Sequence, residues 1–261
     1  MKVTITIETT ESSLEVRKAV ASITDNNEAL LEFAKDNASK VRAAVASNPN
    51  ASKEILTKLA EDEGEDVIRS VAENPKTPAE ILNNLAKDED QDVRRAVATN
   101  PSTSEETLSE LAEDYDDDIR VAVASNPKAP KEILTKFADD EDWNIREAVA
   151  DNSNTSKLIL SKLAKDYDGD VREAVARHPN ATKEILSILA KDNGYSIRAA
   201  VAGNPNASKE ILTELAKDND EDVREAVAKN PKTPVRLLTK LAGDSMTDVS
   251  EAAKKNPNFK K

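Results

Sequence analysis

Tyr115, Trp143, Tyr167 and Tyr195 are the only Tyr and Trp residues of the chain, and they are spaced 28, 24 and 28 residues apart. Carboxylates crowd around them: Asp116 and Asp117 near the first ring, Asp142 beside the second, Asp168 beside the third. Aromatic rings offer contact area and negative π faces, and carboxylates steer cations. The pattern therefore predicts capture of a basic partner by contact, cation–π attraction and charge. At ~150–250 Å² per ring, four rings would supply roughly 600–1,000 Å², near the ~800 Å² that each partner contributes to a standard interface. The competing expectation is that the rings cover apolar gaps between loops. D-Y-D-G-D over 166–170 has the oxygen-rich composition of a Ca²⁺ loop, but Asp166 and Asp170 also belong to regular columns with structural explanations, so no metal is expected.

A second candidate is a column of arginines: Arg17, Arg42, Arg94, Arg120, Arg146, Arg172, Arg198 and Arg224, with Arg69 displaced by one place. Arg42, Arg94, Arg120, Arg146, Arg172, Arg198 and Arg224 could form a rail for phosphate or acidic peptide. The alternative is a structural ladder in which each Arg meets one of nine equally regular aspartates, Asp36, Asp62, Asp88, Asp114, Asp140, Asp166, Asp192, Asp218 and Asp244. Charge favours the ladder. With 37 Lys and Arg against 50 Asp and Glu in 261 residues, the net charge is −13, whereas nucleic-acid binding is driven by cationic side chains releasing counterions.

Catalysis finds little to work with. There is no Cys and one His, His178, which removes thiolate nucleophiles, disulfides, cysteine metal sites and two-histidine sites. The five Gly are scattered, and no nucleophile-elbow, dinucleotide or P-loop motif occurs. The expectation is a non-enzymatic chain with no cofactor. No apolar run reaches transmembrane length and no signal-peptide core is visible, so a cytoplasmic location is expected.

The elements that position these residues follow from the prolines. Pro49, Pro75, Pro101, Pro127, Pro179, Pro205, Pro231 and Pro257 fall on a 26-residue lattice whose vacant point is Ser153. A fixed period of this length marks a repeat array. The unit reads V-R-x-A-V-A-x-N-P followed by E-I-L-x-x-L-A-x-D, as in 41–62, 145–166 and 223–244, and gives ten V-R elements with nine I-L elements between them. Val41, Ala44 and Val45 stand at i, i+3, i+4, and Ile55, Leu56, Leu59 and Ala60 make a second stripe, so both elements are predicted to be helical. Asp66, Asp92, Asp118, Asn144, Asp170, Ser196, Asp222 and Asp248 precede the V-R elements and are expected to cap them. Thr77 with Glu80 and Thr103 with Glu106 have capping-box spacing for the I-L helices. Asn-Pro ends each V-R helix, because the residue before Pro is pushed out of the α region. The Asn column, occupied by His178 in one unit, is expected to bond backbone at the turn. Helices this short do not survive alone in water, so the units must stack.

On these residues the chain resembles the leucine-rich repeat variant family, over about 14–257. The resemblance implies an all-α fold, a right-handed α-solenoid of 26-residue two-helix repeats that alternates short α- and 3₁₀-helices. It implies no biochemical activity, and the cysteine-rich iron–sulfur segment of some members is missing. Residues 1–13 form a different segment. Val3, Ile5 and Ile7 alternate with polar residues as a strand would, predicting either a cap on the stack or an edge for weak self-association through residues 1–10. Residues 258–261 form a C-terminal tail, preceded by a polar last unit with Ser250, Lys254 and Lys255. The functional expectation is a non-catalytic scaffold for protein–protein binding through the acidic aromatic edge, with a basic protein or peptide as partner. The alternatives are a nucleic-acid-associated repeat protein using the Arg column and a structural element self-assembling through its N-terminal strand.

Overall fold

A computed structural model of the chain describes residues 13–259, and every regular element among them is an α-helix. The expected N-terminal strand lies outside the described residues. The chain divides into two compact units, Met1–Pro130 and Lys131–Lys261. The first holds α1 (Leu14–Ile23), α2 (Asn27–Phe33), α3 (Ser39–Ala46), α4 (Lys53–Leu59), α5 (Glu65–Glu73), α6 (Ala79–Leu85), α7 (Gln91–Thr99), α8 (Glu105–Leu111) and α9 (Asp117–Ser125). The second holds α10 (Lys131–Phe137), α11 (Trp143–Asp151), α12 (Lys157–Leu163), α13 (Gly169–Arg177), α14 (Lys183–Leu189), α15 (Tyr195–Gly203), α16 (Lys209–Leu215), α17 (Glu221–Lys229), α18 (Val235–Leu241) and α19 (Thr247–Lys255).

Within each unit the V-R helices, which carry the odd numbers, stack on one another: α3 on α5, α5 on α7, α11 on α13, α15 on α17. The I-L helices lie against the V-R helices on either side, as α4 does against α3 and α5. Two small residues per V-R helix explain the asymmetry. Ala44 and Ala46, or Ala174 and Ala176, bring backbone close to backbone, and Val41, Val45, Val171 and Val175 fill the gaps at full burial. Ile55, Leu56 and Leu59 bury the stripe of their helix, each contributing roughly 1.5–3 kcal/mol by its removal from water.

The helix ends depart from expectation in three ways. The V-R helices start two residues earlier than expected, so their caps are Asp90, Asp116, Asp142, Asp168 and Asp220. These carboxylates accept from the backbone N–H of Asp92, Asp118, Asn144, Asp170 and Asp222. The residues expected to cap are thus N-terminal helix positions, and Gly64, Gly194 and Met246 take the cap place without a side-chain bond. Thr77 and Thr103 form no capping box. Pro78 and Ser104 occupy the cap positions, while the buried Thr77 and Thr103 hydroxyls donate to the Val71 and Val97 carbonyls of the preceding helix. The 3₁₀ character implied by the family resemblance is limited to isolated turns such as Lys35 N–H to Glu32 O and Asp36 N–H to Phe33 O, the seven-residue helices themselves being α.

The Asn column ties repeats together. Asn74 Nδ2 donates to Ala46 O and Asn48 O of the previous repeat, and Asn100 Nδ2 to Ala72 O and Asn74 O. Oδ1 of each accepts the N–H two residues on, as Asn74 does from Lys76. The second unit repeats this with Asn204, Asn230 and Asn256. His178 imitates the amide: Nδ1 accepts from Asn180 N–H at 3.0 Å, so Nε2 carries the proton and donates to Asn152 O at 3.1 Å. It reaches one carbonyl where Asn204 reaches two. His178→Asn is therefore expected to raise stability by about 0.5–1.5 kcal/mol, the usual worth of one more internal hydrogen bond. Urea denaturation checks this, and a lowered midpoint would show that packing of the ring outweighs the missing bond.

Candidate functional site

Six arginines of the column span two loops. Arg146 Nε and Nη2 meet both oxygens of Asp166 at 2.7 and 2.9 Å, while Nη1 donates to the Asp140 and Glu141 carbonyls. Arg42 with Asp62, Arg94 with Asp114, Arg172 with Asp192, Arg198 with Asp218 and Arg224 with Asp244 repeat the clamp, and Arg17 with Asp36 begins it. The aspartate also fixes its own loop: Asp166 accepts from Asp168 N–H and Asp192 from Gly194 N–H. Charge-assisted, bidentate geometry of this kind is the strongest that side chains form. The arginines expected as an anion rail therefore have their donors engaged within the fold. Arg120 bonds the Asp114 carbonyl and pairs with Asp117.

One clamp is missing. Ile68 stands where Arg belongs, Arg69 turns to exposed Asp66 and Asp92, and Asp88 keeps only the Asp90 N–H on its carboxylate.

The aromatic residues divide by loop position. Tyr115 and Tyr167 directly follow the clamp residues Asp114 and Asp166, and their rings lie over the clamp guanidinium groups. Arg94 Cζ is 5.2 Å from the Tyr115 centroid, and Arg146 Cζ is 4.6 Å from that of Tyr167. These are the two arginines with the most buried side chains, 8% and 5% exposed against 20% for Arg172, so the ring acts as a lid on the clamp. Both lids still leave their outer surface to solvent, with Tyr115 80% and Tyr167 79% exposed. Trp143 and Tyr195 instead are the first residues of α11 and α15 and are 36% and 52% exposed.

The expected carboxylates hold local roles. Asp116, Asp142 and Asp168 are half-buried helix caps, and Asp117 pairs with Arg120. In the second unit, Asp139, Glu141, Lys165 and Tyr167 border a hollow of about 580 Å³ between two successive acidic loops, with Leu163 in its wall. Lys162 closes one side by pairing with Asp139. Lys162, Leu163 and Lys165 had no place in the sequence-based site. The signal for the lids was present: Tyr115 and Tyr167 adjoin aspartates that lie 20 residues after an Arg of the column.

Electrostatics follow the clamp. Hydrogen bonding to Asp62, Asp192, Asp218 and Asp244 raises Arg42, Arg172, Arg198 and Arg224 above the ordinary arginine value. The Asp114 and Asp166 carboxylates, with a further contribution from the tyrosines, do the same for Arg94 and Arg146. Arg42, Arg198 and Arg224 hold Asp62, Asp218 and Asp244 below the usual carboxylate range. At Asp166 and Asp192 burial pushes upward most strongly, and the Arg bond and backbone N–H together still bring the net shift down.

The fold is an all-α helical repeat of the solenoid class. The leucine rich repeat variant family profile matches two of the repeats, residues 40–64 and 92–116. Among solved structures it is similar to "a leucine-rich repeat variant with a novel repetitive protein structural motif", at 25% identity and a TM-score of 0.61, covering 85% of this chain and 87% of that one. Weaker likenesses are to the S. pombe condensin Cnd3-Cnd2 subcomplex, at 18% identity, TM-score 0.37, 87% of this chain and 32% of that one. Computationally designed armadillo repeat proteins for modular peptide recognition follow, at 15% identity, TM-score 0.21, and coverages of 92% and 88%. No curated protein matches. No helix among the described residues is long and apolar enough to cross a membrane.

Two predictions follow from the clamp. Because the folded aspartates titrate below the unfolded value of about 3.9, their stabilisation is complete above that value and is lost as pH falls through the lowered folded ones. Urea midpoints should therefore fall as the pH is lowered from about 4, and Asp192→Asn should reduce that slope. An unchanged slope in the variant would remove the clamp from the acid response. Ile68→Arg should complete the missing pair with Asp88 and stabilise the first unit by roughly 1 kcal/mol, after the cost of ordering the side chain. A neutral or destabilising result would show that Ile68 is held by packing.

Proposed function

We propose that this chain is a non-catalytic scaffold that binds a basic protein segment on the acidic loop edge of its second unit, through Trp143, Tyr167 and Tyr195. The observation that carries the reading is the exposure of these rings on or beside the acidic loops, with Tyr167 on a hollow that Asp139 and Glu141 also border. Solvent exposure of large aromatic surface stabilises nothing, whereas at an interface Trp and Tyr are the residues that most often dominate binding energy. The cap carboxylates Asp142 and Asp168 lie on the same loops as the rings and add to the field that draws a cation in. Tyr115 with Asp116 and Asp117 presents the same chemistry on the first unit. Tyr167 is stacked on Arg146 on one side, so it would offer the partner its outer face. The recognition of peptides by designed armadillo repeats is a property of those proteins, and it lends this chain only the general notion of a repeat surface that binds chain segments. The Arg column gives no support to a polyanion rail, since its guanidinium groups are taken up by aspartates and carbonyls.

The test is isothermal titration with an octapeptide alternating Lys and Val, repeated at low and high salt. The chain should bind it, more weakly as salt rises. The Trp143→Ala, Tyr167→Ala, Tyr195→Ala combination should lose at least tenfold in affinity while circular dichroism still shows a folded helical chain. Equal binding by the folded triple variant would sink the proposal.

A further inference from the structure

The opposite ends of the helices, where V-R passes to I-L, have a different chemistry. None of the Asn-Pro loops, such as 48–52, 74–78, 126–130 or 230–234, contains a carboxylate, in a chain with 50 Asp and Glu. Two grooves open along these loops, one in each unit, of about 650 and 760 Å³. They lie six repeats apart in the sequence and are built on the same motif, N-P-K-T-P, at 74–78 and 230–234. The first is walled by Ala51, Pro75, Pro78 and Ala79 and bears Lys53 and Lys76. The second is walled by Ala207, Pro231, Pro234 and Val235 and bears Lys209 and Lys232. No carboxylate lines either groove. Among the described residues, none of the four ammonium groups has an acidic partner, although acids outnumber bases and Lys35, Lys87, Lys162, Lys183, Lys229 and Lys255 have all found one.

The position of the lysine accounts for the opening. In three other repeats the residue after the lattice proline ties its loop to the one before: Ser102 Oγ donates to Pro75 O, Asn206 Nδ2 to Pro179 O, Asn258 Nδ2 to Pro231 O. Lys76 and Lys232 occupy that place, make no such bond and line the grooves instead.

We propose that these two grooves are equivalent docking sites for an acidic, extended peptide segment of a partner protein. An extended chain turns alternate side chains to opposite sides, so apolar residues can rest on the proline and alanine walls while carboxylates meet the paired lysines. Flexible lysine stems suit a ligand held by charge in more than one register. The site is separate from the aromatic edge and selects the opposite charge.

Fluorescence anisotropy with a labelled octapeptide alternating Glu and Val tests this. The chain should bind two per molecule, and added salt should weaken the binding. Lys76→Ser with Lys232→Asn, which installs the ties used by Ser102 and Asn206, should lower affinity at least tenfold while leaving the melting temperature unchanged or higher. Lys53→Glu with Lys209→Glu should do the same without touching the ties. The triple Trp143, Tyr167 and Tyr195 variant should bind the acidic peptide as the parent does, which separates this site from the aromatic edge. Equal binding of an octapeptide alternating Lys and Val at the grooves, or undiminished binding by the tied and charge-reversed variants, would overturn the assignment. So would self-association of the peptide-free chain that disappears in the tied variant, since the grooves would then belong to a second copy.

Discussion

The guanidinium–carboxylate clamp that joins Arg42, Arg94, Arg146, Arg172, Arg198 and Arg224 to the aspartate 20 residues on is the interaction on which the rest of this structure depends. One arginine joins three things: the carboxylate of the following loop, the carbonyls of the preceding loop, and its own helix. The aspartate in turn holds the N–H that starts the next helix turn. Two adjacent loops are thus fixed by a single pair of side chains, and the short helices they connect inherit defined ends. Partial burial makes the arrangement consequential, since removal of one partner would strand the other charge in a poorly hydrated place.

At the opposite ends of the helices the asparagine ladder performs the corresponding task without charge. Each amide reaches back to two carbonyls of the previous repeat while holding its own turn. The two ladders differ in tolerance. His178 replaces an asparagine and keeps the ladder, because an imidazole has a donor and an acceptor in nearly the same places as an amide. Ile68 replaces an arginine and keeps nothing of it, leaving Asp88 with a single backbone bond. Charge segregation results: the clamp requires aspartates at one edge, while the Asn-Pro loops of the other require none and contain none.

The period, the two helices and their buried stripes were legible in the sequence because they rest on local spacing, and Val41, Ala44, Val45, Ile55, Leu56 and Leu59 all lie in the core. The helix starts were not. Asp92 and its equivalents resemble caps by residue type, but a second aspartate two places earlier competes for the role and wins, because its carboxylate can accept the Asp92 N–H. Thr103 was misassigned for a similar reason: its hydroxyl found a buried carbonyl, Val97 O, that sequence spacing does not reveal. The pairing of the arginines with aspartates was legible in the matched columns, whereas the tyrosine lids left only one trace, the adjacency of Tyr115 and Tyr167 to clamp aspartates. Tyr115 and Tyr167 stand out in the sequence as contact residues, yet where their rings lie depends on which aspartate their neighbouring arginine chooses.

A double-mutant cycle on Arg146 and Asp166 tests most directly whether the clamp couples adjacent repeats. The measurements are urea unfolding free energies of the parent, Arg146→Met, Asp166→Asn and the combined variant. Residues coupled as this pair is should show an interaction energy above ~1 kcal/mol, with the double variant less damaged than the two single losses added together. Additive losses, with an interaction energy near zero, would contradict the account and reopen the arginine column as a surface awaiting a ligand.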